Sequence, residues 1–106
     1  MDDIRPPLPD KPVRFLDQFR LFIRRDGLSY KTEKTYLYWA RFYIHFHNKR
    51  HPKEMGAAEV EAFLNYLAEK RYVAPSTQRT ALNALVCLYK RFLGMDIEEA
   101  AQAGED

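Results

Sequence analysis

The run from Gly27 to His47 constrains this chain most, because its side chains repeat with the period of one helix and with two incompatible faces. At about 100° per residue, Tyr36, Ala40, Tyr43, Ile44 and His47 share one side. Lys34, Tyr38, Arg41 and His45 recur on the opposite side at i, i+4, i+7 and i+11. A helix of this kind must bury its apolar side against other elements, and its cation-and-aromatic side suits a phosphate backbone. Trp39 and Phe42 fall on the flanks, where either environment is open to them.

Three further segments supply the cover. Helix one is predicted over about Pro12 to Asp26, with Phe15, Leu16, Phe19, Phe22 and Ile23 inward and Arg14, Gln18, Arg24 and Arg25 outward. Pro12 suits a first turn, and Gly27 suits a left-handed stop. Helix two starts after Ser29, whose hydroxyl can accept an orphan backbone N–H, and ends near His47 to Arg50, before Pro52. Helix three covers about Ala57 to Arg71, with Val60, Phe63, Leu64 and Leu67 inward and Glu61, Asn65 and Glu69 outward. Helix four follows Pro75 and Ser76, the latter as N-cap, and runs to about Leu93 before Gly94. Ala81, Leu82, Leu85, Tyr89 and Phe92 point inward, and Cys87 lies on a flank. No segment alternates as a strand. The expectation is an all-α, compact four-helix bundle over residues 12–94, preceded by a proline-containing extended arm (1–11) and followed by an acidic linker (95–106).

The length of 106 residues allows one domain with a modest core. No apolar run is long enough to cross a membrane, and no export signal is legible. The single cysteine, Cys87, excludes an internal disulfide and a cysteine-based metal site, and agrees with a reducing cytoplasm. The net charge of +2 conceals a gradient. Lys11 to Lys53 holds eleven Lys/Arg against three Asp/Glu, Glu54 to Leu93 five against four, and Gly94 to Asp106 none against five. A basic first half points to a polyanion.

Enzyme chemistry finds no footing. His45, His47 and His51 stand at i, i+2 and i+6, which do not converge on one metal on a helix. Ser29 and Ser76 sit at caps, and the four glycines are isolated, so there is neither a nucleophile setting nor a phosphate loop. No catalytic residue, metal ligand or cofactor is expected. Nucleic-acid binding is better supported. Lys31, Lys34 and Arg41 can neutralise phosphates, and Thr32, Thr35 and Tyr38 can add hydroxyl contacts. His45 extends the row. Ser76, Thr77, Gln78 and Arg79 crowd the start of helix four, where free N–H groups offer a further phosphate seat. Gln78, Arg79 and Asn83 suit base edges, and Lys90 lies further along the same face. The alternative from the same residues is a helical protein-interaction module docking an acidic partner.

Phe15-Leu16-Asp17-Gln18-Phe19, followed by Gly27-Leu28-Ser29-Tyr30-Lys31-Thr32-Glu33-Lys34-Thr35-Tyr36, resembles the amino-terminal core-binding domain of tyrosine site-specific recombinases, most nearly the integron integrases. Met55 to Leu64 is similar to that group's third helix, and Ser76 to Leu85 with Leu88-Tyr89-Lys90-Arg91 to its fourth. The resemblance implies a SAM-like four-helix fold forming half of a clamp on DNA, with the second and fourth helices against the duplex. It implies duplex or folded single-stranded recombination sites and neighbouring integrase protomers as partners, and a bacterial cytoplasmic setting. Catalysis in that family belongs to a carboxy-terminal domain, expected to be absent here. His47-Asn48-Lys49-Arg50 spells the family's His-x-x-Arg pattern, but at the end of helix two, and carries no catalytic role.

Overall fold

The computed structural model describes residues 14–97, so the expected arm, Pro12 and the tail beyond Ile97 lie outside the described residues. Four α-helices follow in order: α1 (Phe15–Arg25), α2 (Tyr30–Phe46), α3 (Ala57–Glu69) and α4 (Pro75–Val86). A 3₁₀ turn at Pro52–Glu54 joins α2 to α3, and a π-helical segment, Cys87–Leu93, continues α4. No strand occurs among the described residues.

The ends of the helices are set by local chemistry. After α1 the Leu28 N–H reaches the Ile23 carbonyl and the Gly27 N–H reaches Arg24, at 3.2 and 3.1 Å. That pair of bonds is a Schellman motif, and it requires Gly27 at φ +80°. Ser29 Oγ accepts the Thr32 N–H at 3.1 Å and starts α2. Asn48 closes α2 in the same way as Gly27, at φ 59°, with Asn48 N–H on His45 and Lys49 N–H on Ile44. At α3, Glu59 Oε1 accepts the Gly56 N–H at 2.7 Å. The expected cap at Ser76 is not formed. Pro75 takes the first helical position and Ala74 is the N-cap, because proline's fixed φ and missing N–H suit that position.

Helix α2 is the hub, packing on α1, α3 and α4. Ala40 and Tyr43 are fully buried, together with Phe19, Ile23, Val60, Phe63, Leu67, Ala81, Ala84 and Leu85. Trp39 turns inward and stacks on Phe42, 5.9 Å between centroids and 9° between planes, and both lean edge-on against Phe63. These rings therefore belong to the core.

Two internal polar links were not foreseen. Glu33 is 1 % exposed and grips Arg24 of α1 through both oxygens, at 2.8 and 3.1 Å. Arg24, expected outward, is held inward by this fork. Deeper in the core, Tyr89 Oη donates to the Pro52 carbonyl at 2.9 Å and lies 2.8 Å from Tyr43 Oη. Since the Tyr89 proton is committed to Pro52, Tyr43 must be the donor to Tyr89. The chain of bonds ties α2, the 3₁₀ turn and the π segment together.

The change from α to π coil at Cys87 alters which side chains face inward. Cys87, Leu88 and Tyr89 are three consecutive buried residues, a run that α periodicity does not allow on one narrow stripe. Cys87 is thus a core residue and not a flanking one. Gly94 at φ +69° ends the segment as expected. The Met95 N–H then turns back to Tyr89 O at 2.7 Å, and Ile97 is 2 % exposed. Apolar packing therefore runs past Gly94 into the stretch assigned to the linker. Arg91 pairs with Asp26 and joins the π segment to the end of α1.

Candidate nucleic-acid interface

Burial of one face of α2 leaves the other exposed as a row. Lys31, Lys34, Tyr38, Arg41 and His45 are all exposed. Tyr38 is 58 % exposed, yet its ring is braced by Trp39 at 5.0 Å and Phe42 at 6.2 Å, so it stands at a defined angle. Lys34 Nζ sits 4.7 Å above the Tyr30 ring, a cation–π contact that positions the ammonium along the helix. Glu33, the one acid of α2, is spent on Arg24 inside. The outer face consequently carries bases and no acid. Thr32 and Thr35 are half-buried, and Thr32 Oγ1 is in hydrogen-bond contact with Ser29 Oγ at 3.1 Å.

At the start of α4, Ser76, Thr77, Arg79 and Asn83 are exposed, as is Lys90 further along. Gln78 is half-buried and donates to the Val73 carbonyl at 3.2 Å, which holds the loop to the helix. Of the acids of α3, Glu59 serves its own cap and pairs with Arg50, and Glu69 is exposed at the C-terminal end.

Two adjoining clefts open between α1 and α2. One, of about 410 Å³, is lined by Arg20, Lys34, Tyr38 and Arg41 with Tyr30 and Glu33. The other, of about 440 Å³, brings Arg14, Lys49 and His51 to Arg41 and His45 over a floor of Phe15 and Ile44. They share Leu16 and Arg41, so the two clefts adjoin along the α2 row. The α4 residues line neither cleft. Arg14, Arg20 and Lys49 are the members that sequence reasoning missed. The i+4 and i+7 spacing revealed the α2 wall, but the opposite wall depends on how α1 packs.

The three histidines have separate surroundings. His47 Nε2 meets the Glu59 carbonyl at 2.9 Å, His51 Nδ1 accepts the Lys53 N–H at 3.1 Å, and His45 is exposed. No group of three or more His, Cys, Asp or Glu among the described residues is placed to hold a metal. Among those residues, no helix is long and apolar enough to cross a membrane.

Comparison with known proteins places these features in context. Residues 15–99 match the family described as phage integrase, N-terminal SAM-like domain. Proteins named Integrase/recombinase from Escherichia coli and from Pseudomonas aeruginosa are each 44 % identical to the chain over 99 residues. The alignment covers 92 % of this chain and 29 % of each relative, so the chain spans under a third of their length.

Proposed function

Because the chain belongs to the phage integrase N-terminal SAM-like domain family, we propose that it is the DNA-gripping module of a tyrosine recombinase of the integron type. In this role it holds recombination-site DNA, duplex or folded single strand, while strand cleavage is carried out by sequence beyond this module. Neighbouring integrase protomers are its proposed protein partners in the assembled complex.

The observation that carries this is the outward row of α2, Lys34 and Arg41 with His45 around the braced Tyr38, unbroken by any acid because Glu33 is turned inside. Cations at this spacing exchange condensed counterions for protein contacts, which gives affinity that falls steeply with salt. Exposed Ser76, Thr77, Arg79 and Asn83 at the start of α4 supply hydroxyl, amide and guanidinium groups suited to phosphates and base edges. Affinity of the module alone is expected to be modest, since a second linked module supplies effective concentration.

The test is a salt titration of binding to duplex and hairpin DNA, with wild type and K34E/R41E. Both positions are exposed, so the double variant should fold normally. Loss of binding and of the salt slope is the expected result. Wild-type DNA affinity in K34E/R41E would refute the proposed face.

A further inference from the structure

One buried polar atom of α1 has no counterpart. The Nε of Arg20, on α1, is buried and is the one buried side-chain nitrogen or oxygen among the described residues that lacks a hydrogen-bond partner. Leaving a charged group's N–H unsatisfied costs more than a hydrogen bond returns, and native folds keep such groups rarely. Arg20 lines the smaller of the two α1–α2 clefts, where Lys34 and Arg41 project from the other wall.

The charge inside that cleft is one-sided. Its single acid, Glu33, has both oxygens bonded to Arg24. Arg20, Lys34 and Arg41 thus share the cleft with an already neutralised carboxylate. Three cations lining one cleft suit an anion with several acceptor oxygens, and a guanidinium fork matches phosphate in particular. At Arg41 the cleft adjoins its neighbour, which Arg14 and Lys49 also line. Cations lining two adjoining clefts match a polyphosphate chain better than a lone ion.

From this geometry we infer that the α1–α2 cleft is a seat for one phosphate of the DNA backbone, with Arg20 of α1 as its inner ligand and Lys34 and Arg41 as its rim. The inference rests on the DNA-binding function proposed above. It adds α1 to the surface that meets DNA, and it assigns the cost of an orphan Nε to binding. The guanidinium turns its fork toward the phosphate, and the Nε–H gains its acceptor there.

Arginine Nε–H resonances make this directly testable. Isotope-labelled protein is titrated with a short duplex and, separately, with inorganic phosphate, while the Arg20 Nε–H and the α2 backbone amides are followed. The expected result is that the Arg20 resonance moves with both additions, together with the amides near Lys34 and Arg41. R20M should weaken duplex binding about tenfold, equivalent to about 1.4 kcal/mol. It should also melt no lower than wild type, because it removes an unsatisfied buried group. If the duplex shifts the α2 amides and leaves the Arg20 Nε–H unmoved, the module binds DNA but the seat is wrong. Movement with inorganic phosphate alone would mark a site for free phosphate and overturn the assignment to DNA. If the duplex moves neither set, the DNA-binding function itself fails. R20M with unaltered duplex affinity would also overturn the inference.

Discussion

The Tyr43–Tyr89–Pro52 chain makes an asymmetric prediction about stability. In Y43F, Tyr89 loses an incoming bond but keeps its own to Pro52, so the cost is one net hydrogen bond, about 1 kcal/mol. In Y89F both bonds vanish. Pro52 O keeps the Met55 N–H at 3.0 Å, but the Tyr43 hydroxyl is left buried without an acceptor. Two lost bonds plus that orphan give about 2–3 kcal/mol. Removing the orphan as well should help, so Y43F/Y89F is expected to be more stable than Y89F alone by about 1 kcal/mol. Urea unfolding at constant m-value reads all three directly. A double variant less stable than Y89F, or Y43F costing as much as Y89F, would refute the donor order. The same pair sets an alkaline limit. Burial pushes the Tyr89 hydroxyl up to about 12, and pushes Tyr43 further in the same direction. An unfolded tyrosine ionises near pH 10, so this contribution is complete below about pH 10 and is lost as pH rises through the folded values.

Two further outcomes follow from buried or capped groups. The Cys87 thiol is raised above its ordinary value, chiefly by burial, so native protein should resist thiol reagents at pH 8 while the urea-unfolded chain labels at once; prompt labelling of the native state would contradict the π segment's packing. Glu59 is held below the usual carboxyl range, first by the Gly56 N–H, so its contribution is present above the ordinary carboxyl pKa and is lost as pH falls through the folded one. E59A should cost about 1 kcal/mol at pH 7 and show a shallower acid limb in stability against pH, and an unchanged limb would show that the cap bond does not couple to folding.

Much of the architecture was legible because it rests on local chemistry. The apolar stripes of α1, α2 and α3, the Ser29 cap and the left-handed stops at Gly27 and Gly94 depend on residues within a turn or two of one another. Ser76 is not the cap its residue type suggests, because proline at the first helical position outranks it one residue earlier. The exposed side of α2 was visible for the same reason: Lys34, Tyr38, Arg41 and His45 share a face on any helix of this period. Glu33 lies on the side of Tyr36 and Ala40, a sign of burial that spacing alone could have raised, but its partner could not be named.

What the sequence by itself determined is therefore the number of helices, their inner faces and the positive row of α2, since periodicity and capping act over a few residues. Tertiary structure alone decided that Glu33 is neutralised by Arg24 and that Tyr43, Tyr89 and the Pro52 carbonyl form one chain of bonds. It also decided that Cys87 is core and that Arg20 of α1 faces Lys34 and Arg41 across a cleft. Each of these joins elements far apart along the chain or depends on a coil that departs from α periodicity. The partners are selected by packing and desolvation in three dimensions, which no spacing along the chain encodes.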